Sequence, residues 1–154
     1  VLHSFVKSAM FFHTGHIYKY FKSKNIYSIG NYFGHNRAGA VFMLMAFVCI
    51  AAMPPSGLFV SELLTFKALI ASHHILVLVI VLVLLTTIIW ALGRNILKML
   101  FVNSENVQVQ PSVRHNVAEM VMQYLLLALT VWLGFCPPQW FVGLIEEAVQ
   151  LITF

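Results

Sequence analysis

Ala52-Met53-Pro54-Pro55-Ser56-Gly57-Leu58-Phe59-Val60-Ser61-Glu62 is the stretch on which the fold turns. It lies inside an apolar run from Ala38 to Ala71, and a carboxylate follows the Pro/Gly cluster by five residues. As one straight helix those 34 residues would reach ~50 Å, well beyond a hydrocarbon core of ~30 Å. Pro54 and Pro55 remove backbone donors and clash with the preceding turn, and Gly57 completes the cluster. A helix broken at 53–57 is therefore expected. Broken helices survive at membrane depth only where protein or a wet cavity satisfies the freed backbone groups. An acid beside such a break points to an ion or proton path.

Outward from this stretch the chain reads as all-α and membrane-integral. Of its 154 residues 60% are hydrophobic and only 9% charged, against about 25% charged in soluble domains. Mean hydropathy is +0.88. Four spans are expected at about 1–20, 38–71, 75–101 and 116–135, the second discontinuous. Ile75 to Leu92 carries no charge at all, which meets the roughly 18-residue criterion for a spanning helix. Cys136-Pro137-Pro138 stops the fourth span, and 140–154 reads as an amphipathic helix along the interface, with Glu146 and Glu147 toward water. These elements form a single membrane domain. The start, Val1-Leu2-His3, has neither Met nor a basic leader region, so the chain is expected to be truncated at its start or to continue a larger protein.

The net charge of +4 would suggest nucleic acid in a soluble protein. Here it reports topology. Lys19, Lys22, Lys24 and Arg37 flank the first connector, and Arg94, Lys98 and Arg114 flank the third. The turn at Ser72-His73-His74 and the C-terminal tail have no Lys or Arg. By the positive-inside rule the first and third connectors are cytoplasmic, and the C-terminus lies on the outer side of an inner membrane. Cys49 and Cys136 have no metal-ligand spacing and form no disulfide framework. No phosphate loop, nucleophile elbow or metal cluster is visible. No metal, cofactor or nucleic-acid partner is expected; the bilayer is.

The ionisable groups at membrane depth carry the functional reading. His3 and Lys7 are four residues apart and share one helix face, which Met10, Thr14 and Tyr18 continue. Low-dielectric surroundings disfavour the charged form of an acid and of a base alike, which brings such groups toward proton exchange. Histidine already changes charge near neutral pH. His3, Lys7 and Glu62 are thus the candidate proton relay. Thr14, Lys67 and Glu119 are accessory candidates. Other readings stay open: His3 as a packing residue, Lys7 snorkelling to an interface, Glu62 as a fixed ion-pair partner, and Lys67 reaching outward. Asn116, Glu119 and Gln123 line one face of the fourth span, where Glu119 also suits the helix dipole. His13 and His16 fall on another side of their helix and read as packing or interface residues.

Two of these segments together resemble a known family. His3-Ser4-Phe5-Val6-Lys7-Ser8-Ala9-Met10-Phe11-Phe12 resembles the His-Ala-Phe-Phe-Lys-Ala-Leu-Leu-Phe motif of the antiporter-like subunits of respiratory complex I. Those subunits share a superfamily with Mrp-type cation/proton antiporters and membrane-bound group 4 hydrogenases. The run Ala52 to Glu62 resembles that family's discontinuous helix. The wording Met53 to Glu62, with Gly15-His16-Ile17, looks closest to the hydrogenase-4 branch. The resemblance covers residues 1 to about 135. It implies that Lys7 matches the central relay lysine, His3 its neighbour and Glu62 the terminal exchanging residue. It also implies an earlier inverted repeat with its own lysine–glutamate pair, which these residues do not contain, so that the chain would be the C-terminal part of a larger antiporter-like fold.

The expected function is a proton-translocating half-channel of a membrane-bound respiratory or hydrogenase complex. It would hold no redox centre itself and would work with other membrane subunits that carry the oxidoreductase chemistry. The alternatives are a non-conducting membrane scaffold, an Na⁺/H⁺ component of Mrp type, or a bicarbonate-coupled transporter component.

Overall fold

A computed structural model describes residues 2–26, 29–103 and 117–152. Most of the polar loop expected at 102–115, with Arg114, lies outside the described residues. So do Val1, Asn116 and the last two residues of the chain. Seven helices are described: α1 (Leu2–Phe21), α2 (Tyr32–His35), α3 (Arg37–Ile50), α4 (Gly57–Ala71), α5 (Ile75–Phe101), α6 (Val117–Phe135) and α7 (Gln139–Ile152). Among the described residues there is no strand.

Local chemistry sets each boundary. α1 stops where Lys22 turns left-handed (φ 51°) and its N–H reaches Tyr18 O at 2.8 Å. Asn31, also left-handed, caps α2 by accepting the Gly34 N–H at 3.1 Å. Its own N–H donates to Val102 O at 2.9 Å, tying the connector to the end of α5. Asn36 caps α3 by accepting the Gly39 N–H at 3.0 Å. A side-chain oxygen at these positions satisfies one of the orphan donors of the first turn.

The interruption between α3 and α4 begins before the prolines. Ala52 takes a left-handed φ of 49°. The Ala52 N–H bonds Cys49 O at 3.2 Å and the Met53 N–H bonds Val48 O at 3.0 Å. This pair of bonds is the Schellman ending, so α3 is already closed when Pro54 is reached. The Pro54–Pro55 peptide is cis. Ser56 then restarts the helix, its hydroxyl accepting the Phe59 N–H at 3.4 Å. A second Schellman ending, with His73 left-handed (φ 57°) and the His74 N–H on Leu69 O at 3.0 Å, folds α4 back into α5.

α1, α3 and α6 form the packed centre. Val6, Ala9, Phe42, Ala46, Cys49 and Leu127 are buried among them. A second core holds the end of the bundle where the basic residues gather, with Ile17, Phe21, Tyr32, Met43, Ile96 and Leu100. Gly57 and Gly134 let α4 and α6 touch backbone to backbone: a Cβ on Gly57 would meet Gly134 Cα at 2.7 Å and Leu2 Cδ1 at 2.7 Å. Small residues allow such approach at membrane helix crossings. The N-terminal part of α5 is different. From Ile75 to Trp90 only the stripe Leu78, Val81, Leu85 and Ile89 is half-buried, and the remaining faces are exposed although apolar apart from Thr86 and Thr87. Such a helix is at home in hydrocarbon, where no water drives it inward. α5 and α6 are each long and apolar enough to cross a membrane, and α3 is a shorter apolar helix.

Candidate functional site

The candidate relay residues sit around the break and along α1. Pro54 and Pro55 are exposed, whereas Ser56 and Gly57 are buried against α6. Leu2, at the start of α1, meets Gly57, at the start of α4. Lys7 lies five residues along α1 from Leu2, and Glu62 five residues along α4 from Gly57. Each is therefore about 7.5 Å of helix rise from the contact, with His3 close to it. Glu62 is half-buried; His3 and Lys7 are exposed. Among the described residues no salt bridge or direct hydrogen bond joins Lys7, His3 and Glu62.

The accessory candidates are dispersed. Lys67 is exposed, five residues beyond Glu62. Thr14 is exposed, and its hydroxyl bonds back to Met10 O at 2.8 Å. Glu119 is exposed in the first turn of α6. It shares a groove of about 630 Å³ with Lys19, His16 and Gln123, between α1 and α6. The polar face His3-Lys7-Thr14-Tyr18 points away from the packed centre, and all four residues are exposed.

Inside the bundle lies a polar chain whose members stand far apart in the sequence. Asn36 Oδ1 takes the Gly39 N–H, so its Nδ2 is the atom that donates to the Tyr32 hydroxyl at 3.0 Å. The Tyr32 O–H then faces His13 Nε2 at 3.4 Å. On the other side of the ring, His13 Nδ1–H meets Gln123 Oε1 at 2.9 Å. The directions agree with a neutral His13 carrying its proton on Nδ1. Burial pushes the Tyr32 hydroxyl well above its ordinary range, so it remains a proton donor. Asn36, Tyr32, His13 and Gln123 are all buried. His16 stacks beside His13 with ring centroids 6.3 Å apart, and Phe42 closes over His13 at 4.7 Å.

This chain of bonds joins the α2–α3 junction, α1 and α6. It ends on amides, which neither gain nor lose protons at ordinary pH. It can therefore hold helices in register but cannot pass protons end to end. The signal in the sequence was the presence of His13 and Gln123 in apolar helices, where polar side chains seek one another. Their pairing across 110 positions was not legible there.

A family model described as "NADH:quinone oxidoreductase/Mrp antiporter, TM" matches residues 1–89. The matched segment runs from α1 into α5 and includes His3, Lys7, the helix break and Glu62. No curated relative and no solved structure matched the chain. The match covers more than half of the sequence and coincides with the broken helix and the lysine-bearing helix beside it. This chain belongs to the membrane family of the NADH:quinone oxidoreductase and Mrp antiporter subunits.

Proposed function

We propose that the chain forms the C-terminal half-channel of a proton-translocating, antiporter-like subunit. Lys7 is the central exchanging base, His3 assists it, and Glu62 is the terminal acid toward the outer side. One observation carries this reading. The starts of α1 and α4 meet at Leu2 and Gly57, so the lysine and the acid flank a single helix break at equal distances along their helices. A family description that joins quinone oxidoreductases and antiporters supports ion movement as the shared task. The partners are the other membrane subunits of a redox complex, and of such complexes the hydrogenase-4 type agrees best with Met53 to Glu62. The basic residues of the first and third connectors support a cytoplasmic location for that end of the bundle in the inner membrane.

Moving one charge against ~100 mV costs about 2.3 kcal/mol, so redox chemistry in partner subunits can drive several such transfers. The test is made in the full complex reconstituted into vesicles. Glu62→Gln and Lys7→Ala should each abolish proton uptake while electron transfer continues in part. Normal pumping by both variants overturns the assignment. The same family description supports a second reading, exchange of Na⁺ for H⁺. Pumping that persists unchanged without Na⁺ rejects it. A purely structural role predicts instead that the two variants lose assembly rather than pumping.

A further inference from the structure

We infer that the groove between α1, α3 and α5 is a binding site for an anionic phospholipid. The phosphate would sit at Lys24 and one acyl chain would lie along the groove toward Met10. This inference does not depend on the proton-relay reading.

The groove measures about 580 Å³, and its walls are apolar, with Ile17, Met43, Leu92, Ile96 and Met99 among them. Tyr18, Ser23 and Lys24 supply polar groups at one end; along the walls the Thr14 hydroxyl turns back to Met10 O at 2.8 Å and the Asn95 Nδ2 donates to Ala91 O at 3.0 Å. Along α1 it extends from Met10 to Tyr18, ~12 Å of helix rise. An apolar channel of that length ending in a cation has the layout of a lipid leaflet: hydrocarbon below, phosphate above. Lys24 Nζ is held 5.7 Å over the centre of the Tyr18 ring, which keeps the ammonium at the mouth of the groove.

Charge complementarity chooses the occupant. Lys19, Lys22, Lys24, Arg37, Arg94 and Lys98 gather at this end of the bundle, yet the sequence has no Asp, and no Glu from Val1 to Ser61 or from Leu63 to Ser104. The acid nearest this end among the described residues, Glu119, belongs to the other groove, on the α6 side of α1. Among the described residues, the helices and connector that build the lipid groove thus supply cations and no anion at its mouth. Basic pockets between membrane helices bind lipid head groups of opposite charge. A zwitterionic lipid would fill the same walls without meeting the charge.

The full complex, stripped of lipid in detergent, is titrated with phosphatidylglycerol or with phosphatidylcholine. Retained lipid and the unfolding midpoint are then measured. Phosphatidylglycerol should bind more tightly and raise the midpoint further. Lys24→Gln should weaken its retention roughly fivefold, the scale of one cation near an anionic surface, and Lys24→Arg should restore it. Lys22→Gln, at an exposed lysine outside the groove, should change little. Equal binding of the two lipids overturns the inference, as does an equal loss in the Lys22 and Lys24 variants. A Leu92→Cys variant that cross-links to a helix of another subunit would show a protein occupant and overturn it too.

Discussion

At the residue scale the buried chain from Asn36 to Gln123 is the most demanding feature of the bundle. Each member satisfies the next, so removal of one leaves a polar atom stranded in apolar surroundings. Gln123→Leu withdraws the acceptor from His13 Nδ1–H, and Tyr32→Phe removes both the acceptor for Asn36 and the donor to His13. Each should cost about 1–3 kcal/mol, the usual penalty for an unsatisfied buried group. Chemical denaturation of the purified subunit, with the exposed change Glu146→Gln as control, measures it. A cost equal to that of the control would show that the chain of bonds contributes nothing. Glu62, Lys7 and His3 could be named from the sequence, because a charge in an apolar run stands out without any fold. The His13 chain could not. Its members come from three separate segments, and only the rotation of α1 against α6 and the fold of the connector bring them together.

At the element scale the break in the second apolar run has two parts. The closing turn on Ala52 and the restart on Ser56 are independent of the proline rings between them. Pro54→Ala alone should therefore leave α3 ending where it does, which hydrogen exchange of the 48–57 backbone would report as unchanged protection. Gly134→Val should do much more, since its Cβ has Gly57 backbone in its path. The expected cost is about 1–3 kcal/mol, typical of overpacking in a dense interior, with loss of the α4–α6 crossing. A variant as stable as the parent would mean that the two helices do not meet there. The Pro/Gly cluster was legible as an interruption because its residue types cannot continue a helix. Its early onset was not, because Ala is an ordinary helix former and reaches the left-handed region here only under the pull of two backbone bonds.

On the scale of the whole molecule, packing is uneven. α1, α3 and α6 share a core, and the C-terminal end of α5 joins the basic end through Gly93, Ile96, Met99 and Leu100. Among the described residues, the N-terminal half of α5 packs beside α4. If Ile75 to Trp90 runs through hydrocarbon, Val79→Arg should reduce membrane-integrated protein by an insertion cost of about 2.5–3.5 kcal/mol. Leu97→Arg, near the basic end, should be tolerated. Equal yields for both would place Val79 outside the bilayer interior. The apolar runs themselves made this architecture readable, because length and hydropathy alone decide what can span. Which faces are covered was not readable: a helix apolar on all sides looks the same whether lipid or protein surrounds it.

The contact of Gly57 with Gly134 has a mechanical consequence. Two bare backbones touching at this crossing, with the Leu2 side chain packed beside them, make a fulcrum, and any tilt of α4 over α6 pivots there. Glu62 sits on a lever arm of about 7.5 Å from that pivot. A tilt of several degrees then displaces its carboxylate by only about an ångström, enough to make or sever one hydrogen bond but not to carry it to another compartment.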